Sequence, residues 1–347
     1  MTADLFPGYC QNRLRINIIY HHTHQGVFYM NSYEQKIDAL TSSLLNDYSN
    51  GRVIDDLKPG GRADKGIVIG VLEKLRTLIF PGYFSGRERS TYTVKNNTAM
   101  LLEEIISELS GQIALVLPCG KDFALKDCGC LEEEAERLTF AFLEKIPMIR
   151  EYIETDVQAA YDGDPAAFSK DEIIFSYPGL YAILTNRIAH ELHLLGVPLI
   201  PRMMTEHAHS RTGIDIHPGV TLGRYFFIDH GTGIVIGETT EIGNNVKIYQ
   251  GVTLGALSTR GGQKLKNKKR HPTIKDNVTI YSGASILGGD TVVGKDAVIG
   301  GNAFITSSVP DGAKVSIKTQ ELLYSFGTGA TMEKKEFENA DNWFYII

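Results

Sequence analysis

Cysteine and tryptophan are scarce in this chain of 347 residues, which has four cysteines and one tryptophan. So few cysteines in a chain of this length do not form a disulfide scaffold. No apolar run approaches the roughly 18 residues of a membrane-spanning helix, and residues 1–29 lack the compact apolar core of a secretory signal. The net charge of −6 gives no basic excess for nucleic acid or an anionic membrane. We therefore expect a cytoplasmic protein that binds neither nucleic acid nor membrane.

Three of the four cysteines, Cys119, Cys128 and Cys130, fall close together in the sequence. They could bind a metal or form a redox pair. However, the two-residue-spaced cysteine pairs of zinc sites are absent, and no fourth ligand is evident nearby. We favour structural or incidental cysteines and expect no metal.

The first half of the chain has a helical pattern. After a leader of residues 1–29 without clear periodicity, Met30 opens a predicted helix that runs to about Leu45. Our hypothesis is that Met30 is the true start and that the leader is disordered or not made. Apolar residues then recur at spacings of three and four, as in Ile67, Val71, Leu75 and Leu78, in Leu102, Ile105 and Leu109, and in the segments 131–142 and 179–195. Residues 30–200 are thus a predicted helical domain, which Pro198 and Pro201 end.

From Ile214 onward the period changes to six. Thirteen aliphatic residues keep this phase with two slips and one insertion: 216, 222, 228; 236, 242, 248, 254; 274, 280, 286; 293, 299 and 305. A period of six fits neither a helix nor an alternating strand, but it fits a solenoid whose faces each bury one aliphatic residue. The sequence therefore predicts an α+β protein, with a left-handed parallel β-helix over residues 214–318.

Two segments depart from the repeat. The insert 256–273 carries a basic run from Lys264 to Arg270, and a loop that leaves a solenoid coil often carries a binding site. Contact of its lysines with phosphates and plain solvation remain equal alternatives. Residues 319–347 form a polar, mixed tail that ends at Ile347.

An acidic residue and a histidine of the solenoid suit acyl transfer to a hydroxyl. Such a transfer needs a base, and histidine serves best when a carboxylate orients it. Asp215 and His230 are fifteen residues apart, and the two-residue slip falls around His230. Since about eighteen residues make one coil, we expect the pair to meet on successive coils. Alone, the pair is a weak signal, because most histidines of a solenoid are turn or surface residues.

Several motifs together resemble the active-site run of serine acetyltransferases. They are DIHPGVTLG from Asp215, IDHGTGIVIGET from Ile228, QGVTLG from Gln250, RHPTI from Arg270 and, before the solenoid, DVQAA from Asp156 and GDPA from Gly163. The resemblance covers roughly residues 150–310 and implies transfer of acetyl from acetyl-CoA to the L-serine hydroxyl, giving O-acetylserine for cysteine biosynthesis.

The same resemblance implies residue roles. His230 is the general base and Asp215 orients it. Asp164 and Asp229 hold the amino group of serine, and Arg270 and His271 bind its carboxylate. Acetyl-CoA lies between subunits, near four small residues: Gly255, Ala256, Ser282 and Gly301. Attack is direct, without an acyl-enzyme. Three features depart from the family's common form, namely the longer basic loop, the Tyr-Ser pair at Tyr281 and the region after Lys318.

The resemblance also implies partners. The chain is expected to form a homotrimer or a dimer of trimers, with L-cysteine as a competing inhibitor. Ile347 is expected to enter the active site of O-acetylserine sulfhydrylase, although the tail could instead fold back on its own trimer.

Three other functions remain open. One is another acyltransferase with a different acceptor. A second is a zinc carbonic anhydrase that uses His217, His230 and His271. The third is a non-catalytic scaffold, in which the pairs Asp215–His230 and Arg270–His271 would have no function.

Overall fold

A computed structural model describes residues 24–55, 62–84, 91–120, 128–317, 322–326 and 330–335. Its contacts divide the chain into two units, Met1–Gly61 and Arg62–Ile347. Helices α2–α8 and the solenoid therefore belong to one unit and share one apolar core.

Eight α-helices occupy the described residues before the solenoid. They are α1 (His24–Tyr48), α2 (Lys65–Ile79), α3 (Thr91–Val116), α4 (Cys128–Leu143), α5 (Ile146–Gly163), α6 (Lys170–Ser176), α7 (Pro178–Leu194) and α8 (Ile200–Thr212). The prediction that the first helix begins at Met30 is wrong, because α1 begins at His24. Residues 24–29 contain no proline, and the helix continues through Gly26. Residues 1–23 of the predicted leader lie outside the described residues.

The helical region extends further than the sequence predicted. Pro198 does follow the end of α7, but Pro201 is the second residue of α8 rather than a stop. The fixed φ of proline suits the first helical turn, where its missing N–H has no partner to lose. Helix α8 ends at Thr212 and is capped by Gly213, which takes a left-handed φ of 69° and donates its N–H to the His209 carbonyl at 2.8 Å. The boundary predicted near residue 200 thus lies twelve residues too early.

The solenoid consists of short parallel strands arranged as three sheets. In chain order they are β1 (Asp215–Ile216), β2 (Thr221–Leu222), β3 (Phe227–Asp229), β4 (Val235–Ile236), β5 (Glu241–Ile242), β6 (Lys247–Tyr249), β7 (Thr253–Gly255), β8 (Thr273–Ile274), β9 (Thr279–Ile280), β10 (Ser285–Leu287), β11 (Val292–Val293), β12 (Val298–Ile299), β13 (Phe304–Ile305) and β14 (Lys314–Val315). The left-handed β-helix of about five coils is confirmed, and its hexapeptide aliphatics are buried along the axis, except Ile305, which is partly buried.

Three faces and three corners describe each coil. Face A contains β1, β4, β7, β10 and β13, face B contains β2, β5, β8 and β11, and face C contains β3, β6, β9, β12 and β14. We call the turns between them the AB, BC and CA corners. Every step across the BC corner keeps the six-residue spacing, whereas all slips and the insertion fall at the other two corners.

The BC corner carries a ladder of short polar side chains in left-handed backbone. Asn245, Asn277 and Asp296 have φ of 55°, 59° and 60°. Asn245 Nδ2 donates to Asn277 Oδ1 at 3.0 Å, and Asn277 Nδ2 donates to Asp296 Oδ1 at 2.7 Å. Asparagine and aspartate tolerate this conformation better than other non-glycine residues, so the ladder stabilises the same turn on successive coils.

A buried ion pair fastens the helices to the first coil. The Arg187 guanidinium of α7 donates to both oxygens of Asp156 in α5, at 2.7 and 2.9 Å. It also donates to the carbonyls of Leu222 and Gly223, at 3.1 and 2.7 Å, while Asp156 accepts from the Phe226 N–H at 3.0 Å. Both side chains are nearly inaccessible to solvent. The DVQAA motif therefore serves to dock the helical region on the BC corner.

Two further strands follow the solenoid. Strands β15 (Leu322–Phe326) and β16 (Ala330–Lys335) pair antiparallel. The remainder of the predicted tail, including Ile347, lies outside the described residues. Among the residues that the structure describes, no helix is both long and apolar enough to cross a membrane.

Candidate active site

The CA corner of the first coil is where the two-residue slip occurs. His230 has a φ of 57°, and Gly231 and Gly233 both have a φ of 82°. The Gly231 N–H donates a hydrogen bond to the Asp229 carbonyl at 2.6 Å, which closes a very tight turn. A histidine in left-handed backbone costs energy, and such strain is concentrated at functional sites. The turn leaves the His230 side chain about half exposed.

Four side chains gather around His230 at this corner. Its Nδ1 lies 3.8 Å from Asp229 Oδ1, and Lys247 Nζ lies 3.7 Å from Asp229 Oδ2. Tyr177 at the start of α7 donates its hydroxyl to Asp164 Oδ2 at 2.5 Å. Lys247 also donates to the Gly163 carbonyl at 2.5 Å, and this bond joins the GDPA turn to face C. The structure thus brings together Asp164, Asp229 and His230, three of the predicted site residues.

The Asp164 carboxylate is held in its charged form. The hydrogen bond from Tyr177 lowers its pKa most, while partial burial opposes the shift, and the Ala166 N–H, Lys247 and His230 lower it further. Burial and the Asp164 carboxylate raise the pKa of the Tyr177 phenol, so this group remains a hydrogen-bond donor. Two ionised carboxylates beside a base can hold an ammonium group.

The AB corner carries the other pair of predicted residues. Arg270 donates to Glu238, and its main-chain N–H donates to Thr239 Oγ1 at 2.9 Å. His271 Nδ1 accepts from the Thr239 N–H at 3.1 Å, so the proton of the neutral ring is on Nε2. The imidazole packs against Gly237, where any side chain would collide with the ring. Residues 237–239 (GET) therefore hold the side chains of Arg270 and His271 in place.

Charges at the AB corner are set by burial and by the guanidinium. Burial and the charge of Arg270 lower the pKa of His271 to about 4, so the ring is neutral at pH 7. Burial likewise lowers the pKa of His217 to about 4. Burial disfavours ionisation of Glu238, but the hydrogen bond and charge of Arg270 outweigh it and lower the pKa of this carboxyl. The corner thus presents a cation and a neutral donor, a pair suited to a carboxylate.

Asp215 occupies a different setting from the one the sequence suggested. It begins face A beside the CA corner, yet its Oδ1 lies 3.5 Å from Arg202 Nη1 of α8. In the described structure no hydrogen bond or ion pair joins Asp215 to His230, and the carboxylate beside the imidazole is Asp229. The role of Asp215 in orienting the base stays a prediction.

The predicted acetyl-CoA contacts fall on the same two corners. Gly255 and Ala256 leave β7 at the AB corner, and the Gly255 carbonyl accepts from the Gly288 N–H at 3.0 Å. Ser282 and Gly301 stack on neighbouring coils at the CA corner, where a β-carbon on Gly301 would lie 3.2 Å from the Ser282 carbonyl. Small residues at both positions leave the backbone open to a long, thin ligand, so the residues present fit the predicted cosubstrate.

The zinc-site alternative does not match these positions. His217 and His271 belong to the AB corner, whereas His230 belongs to the CA corner. In the described part of the chain, the group of possible ligands that lie within reach of one ion is Glu206, His209 and Asp215, and Arg202 contacts both of its carboxylates. Cys119 and Cys130 are exposed free thiols. A cleft of about 370 Å³ between α2, α3 and α5 contains none of the predicted site residues.

Several site residues escaped sequence reasoning. Tyr177, Lys247, Glu238 and Thr239 support the predicted groups, and Arg187 fixes the helices. Glu238 and Thr239 lie inside the quoted IDHGTGIVIGET motif, so the motif itself was their signal. Tyr177 and Lys247 had none, because Tyr177 reaches Asp164 through the packing of the helices, and Lys247 reaches Asp229 through the stacking of β6 on β3.

A β-helix of hexapeptide coils with a strained histidine and paired acidic groups at one corner defines the class of hexapeptide-repeat acyltransferases.

No family model matches the chain. The chain is similar to the solved structure of serine acetyltransferase isoform 3 from Entamoeba histolytica, which is in complex with cysteine. The two sequences are 35% identical, and the match covers 82% of this chain and 93% of that one with a TM-score of 0.63. Serine acetyltransferase 1 of the same organism, in complex with L-cysteine, is 38% identical with a TM-score of 0.62, over 74% of this chain and 87% of that one.

Curated relatives have the same name. The plasmid serine acetyltransferase of Synechococcus elongatus is 46% identical over 214 residues, which are 59% of this chain and 66% of the relative. The Bacillus subtilis enzyme is 51% identical over 124 residues, which are 36% of this chain and 54% of the relative. The matches thus span between about half and two thirds of these relatives' length. The chain belongs to the serine acetyltransferase family.

Proposed function

We propose that this protein is a serine O-acetyltransferase that moves acetyl from acetyl-CoA to the hydroxyl of L-serine, giving O-acetylserine for cysteine biosynthesis. The observation that carries the proposal is the separation of charge between the corners. The CA corner offers Asp164 and Asp229 to an ammonium group beside a histidine, and the AB corner offers Arg270 and His271 to a carboxylate. A free amino acid carries both charges, and a neutral sugar carries neither.

The chemistry follows from His230. The imidazole accepts the serine hydroxyl proton as the oxygen attacks the thioester carbonyl, and the imidazolium then returns the proton to the departing CoA thiolate. A carboxylate beside the ring, Asp229 as observed or Asp215 as the family pattern implies, stabilises the imidazolium. Among the described thiols, Cys119 and Cys130 lie away from these corners, and we infer direct transfer without an acyl-enzyme, as the family pattern implies. Backbone N–H groups near Gly255 and Gly301 would stabilise the developing oxyanion.

The two corners define different edges of the same chain, so one subunit supplies half of each site. We infer that the CA corner of one subunit faces the AB corner of the next in a homotrimer, which is a closed ring of heterologous contacts. Pairing of two trimers through the helical domains is a further expectation from the family. Acetyl-CoA then lies in the groove between subunits, near Gly255, Ala256, Ser282 and Gly301.

Two partners follow from the same site and tail. L-Cysteine has the ammonium and carboxylate groups of serine, so it can compete at the same corners, and two Entamoeba relatives were crystallised with cysteine. Ile347 with the preceding aromatic residues is proposed to bind O-acetylserine sulfhydrylase. Loss of binding on deletion of Ile347 is the expected result, and unchanged affinity would contradict it.

The test of the reaction is release of CoA from acetyl-CoA with a panel of acceptors. L-Serine should support release, and serine methyl ester, which lacks the carboxylate, should do so far less well. Replacing Arg270 with alanine should raise the KM for serine by about ten- to a hundredfold, as expected for loss of a charged hydrogen bond, and should narrow the difference between the two acceptors. Release with a sugar or another amino acid but not with serine would favour the alternative, a hexapeptide-repeat acyltransferase with a different acceptor.

A further inference from the structure

The loop that interrupts the repeat has a charge unlike the rest of the protein. Between Arg260 and Arg270 it contains six basic residues and no acidic residue, in a chain whose net charge is −6. Such a concentration of one sign creates a local positive potential and attracts anions. The proposed amino-acid site needs only one of these cations, Arg270, to bind the carboxylate.

Two of the six cations already have acidic partners. Arg270 pairs with Glu238, and Lys269 Nζ lies 3.2 Å from Glu241 Oε1 and donates to the Thr239 carbonyl at 2.6 Å. The other four are exposed, and within the described structure their side chains have no hydrogen bond or ion pair. These four are Arg260, Lys264, Lys266 and Lys268. They remain available to a ligand.

The loop has a defined conformation. A 3-10 turn spans Gly262–Leu265, and further turns follow, in which the Lys266 N–H donates to the Gln263 carbonyl at 3.1 Å and the Lys268 N–H to the Leu265 carbonyl at 3.2 Å. Three lysines therefore recur at every second residue on a fixed backbone. Ordering of the backbone before binding reduces the entropy that a ligand must offset.

The loop lies beside the groove in which the resemblance places acetyl-CoA. It leaves the solenoid at Gly255 and returns at Arg270, so both ends lie at the AB corner beside the proposed acetyl-CoA groove. Near its end it passes so close to Gly289 that a β-carbon there would lie 2.4 Å from the Lys269 carbonyl. CoA carries a 3′-phosphate and a 5′-diphosphate far from its thioester, whereas serine has no group that needs three more cations.

We propose that Lys264, Lys266 and Lys268 bind the phosphates of CoA and form a binding site separate from the groups that bind serine. The proposal rests on the proposed function, because it takes acetyl-CoA as the acyl donor. Lysine binds phosphate as a point charge. The loop thus anchors the nucleotide end of CoA while the groove holds the thioester end.

The test is calorimetric titration of the full chain with CoA, because binding is measured without turnover. In the triple variant Lys264→Ala, Lys266→Ala, Lys268→Ala the Kd for CoA should rise about tenfold, the order expected for three exposed charge pairs. The matched control is Lys275→Ala, Lys295→Ala, two exposed lysines of the BC corner, which should leave the Kd unchanged. All changes are on the surface, and equal melting temperatures would verify folding.

A second donor separates phosphate binding from a general effect. S-Acetylpantetheine has the thioester arm of acetyl-CoA but no phosphate, so the triple variant should use it with an unchanged kcat/KM. An unchanged Kd for CoA, or an equal loss with S-acetylpantetheine, would overturn the proposal. A chain that binds CoA through the loop yet does not acetylate serine would contradict the proposed function and leave this inference standing.

Discussion

The BC corner and the CA corner are built from the same repeat but differ in regularity and in side-chain chemistry. At the BC corner every turn has the same length, and Asn245, Asn277 and Asp296 stack in one hydrogen-bonded ladder. At the CA corner the first turn is two residues longer, and His230 takes a left-handed conformation there in addition to Gly231 and Gly233. The ladder satisfies its own polar groups, whereas His230 and its acidic neighbours remain open to a ligand.

This difference indicates where a solenoid can accommodate function. Each strand must keep its phase to bury its aliphatic residue, but an added residue in a turn only lengthens the turn. The Asp156–Arg187 pair docks the helical region on the BC corner, whereas the slips and the insertion lie at the other two corners. Regularity therefore accompanies a structural role, and irregularity accompanies the candidate site.

The largest expected effect is the loss of catalytic rate when the CA corner is changed. His230→Ala should lower kcat by about a hundred- to ten-thousandfold, the usual contribution of a general base, while the melting temperature should not rise, because alanine keeps a β-carbon in the left-handed backbone. Steady-state CoA release with serine measures the change. A variant that retains most of its kcat would remove His230 from its proposed role.

The buried pair beneath the BC corner should affect stability instead. Arg187→Ala leaves the Asp156 carboxylate buried without its cation, which costs about 3–5 kcal/mol. Urea unfolding should show this loss, and kcat per folded molecule should be nearly unchanged. The double variant Asp156→Leu, Arg187→Met removes both charges and should be less destabilised. If Arg187→Ala instead lowers kcat in fully folded protein, the proposed separation of roles is wrong.

Acid should destabilise the AB corner through His271. Its pKa is about 4 in the folded protein against 6.5 in the unfolded chain, so the unfolded state binds more protons between these values and stability falls as pH falls from 6.5 to 4. With allowance for partial solvent access, we expect a loss of about 1–2 kcal/mol from this residue. Unfolding free energies measured from pH 7 to 4 should fall less steeply in His271→Asn. Equal slopes would show that His271 does not carry the effect.

The smallest expected effect concerns the ladder itself. Asn277→Ala removes two hydrogen bonds and places alanine in left-handed backbone, at a cost of about 1–2 kcal/mol. Asn277→Gly removes the same bonds but tolerates the backbone, so it should lie between alanine and the wild type in thermal unfolding. Both variants should keep the wild-type kcat. A fall in kcat would mean that the BC corner takes part in catalysis.

The sequence predicts the solenoid closely because burial of one aliphatic residue per face imposes the period of six. It also locates the slip at His230 and the residues of both corners, since the motifs stand at fixed positions in the coils. It does not predict the start of α1 or the helical role of Pro201, because proline both ends helices and begins them. Nor does it show that Tyr177 donates to Asp164 or that Lys247 donates to the Gly163 carbonyl, since both contacts arise from tertiary packing.

The central claim is that each active site combines the CA corner of one subunit with the AB corner of another. The direct test mixes the variants His230→Ala and Arg270→Ala after unfolding and joint refolding, and measures CoA release at a serine concentration far below the KM of Arg270→Ala, where each variant alone has little activity. In randomly mixed trimers about a quarter of the interfaces would pair an intact His230 with an intact Arg270. The mixture should therefore recover about a quarter of the wild-type activity, by the same subunit statistics. A mixture as inactive as its two components would place the whole site within one chain and contradict the account.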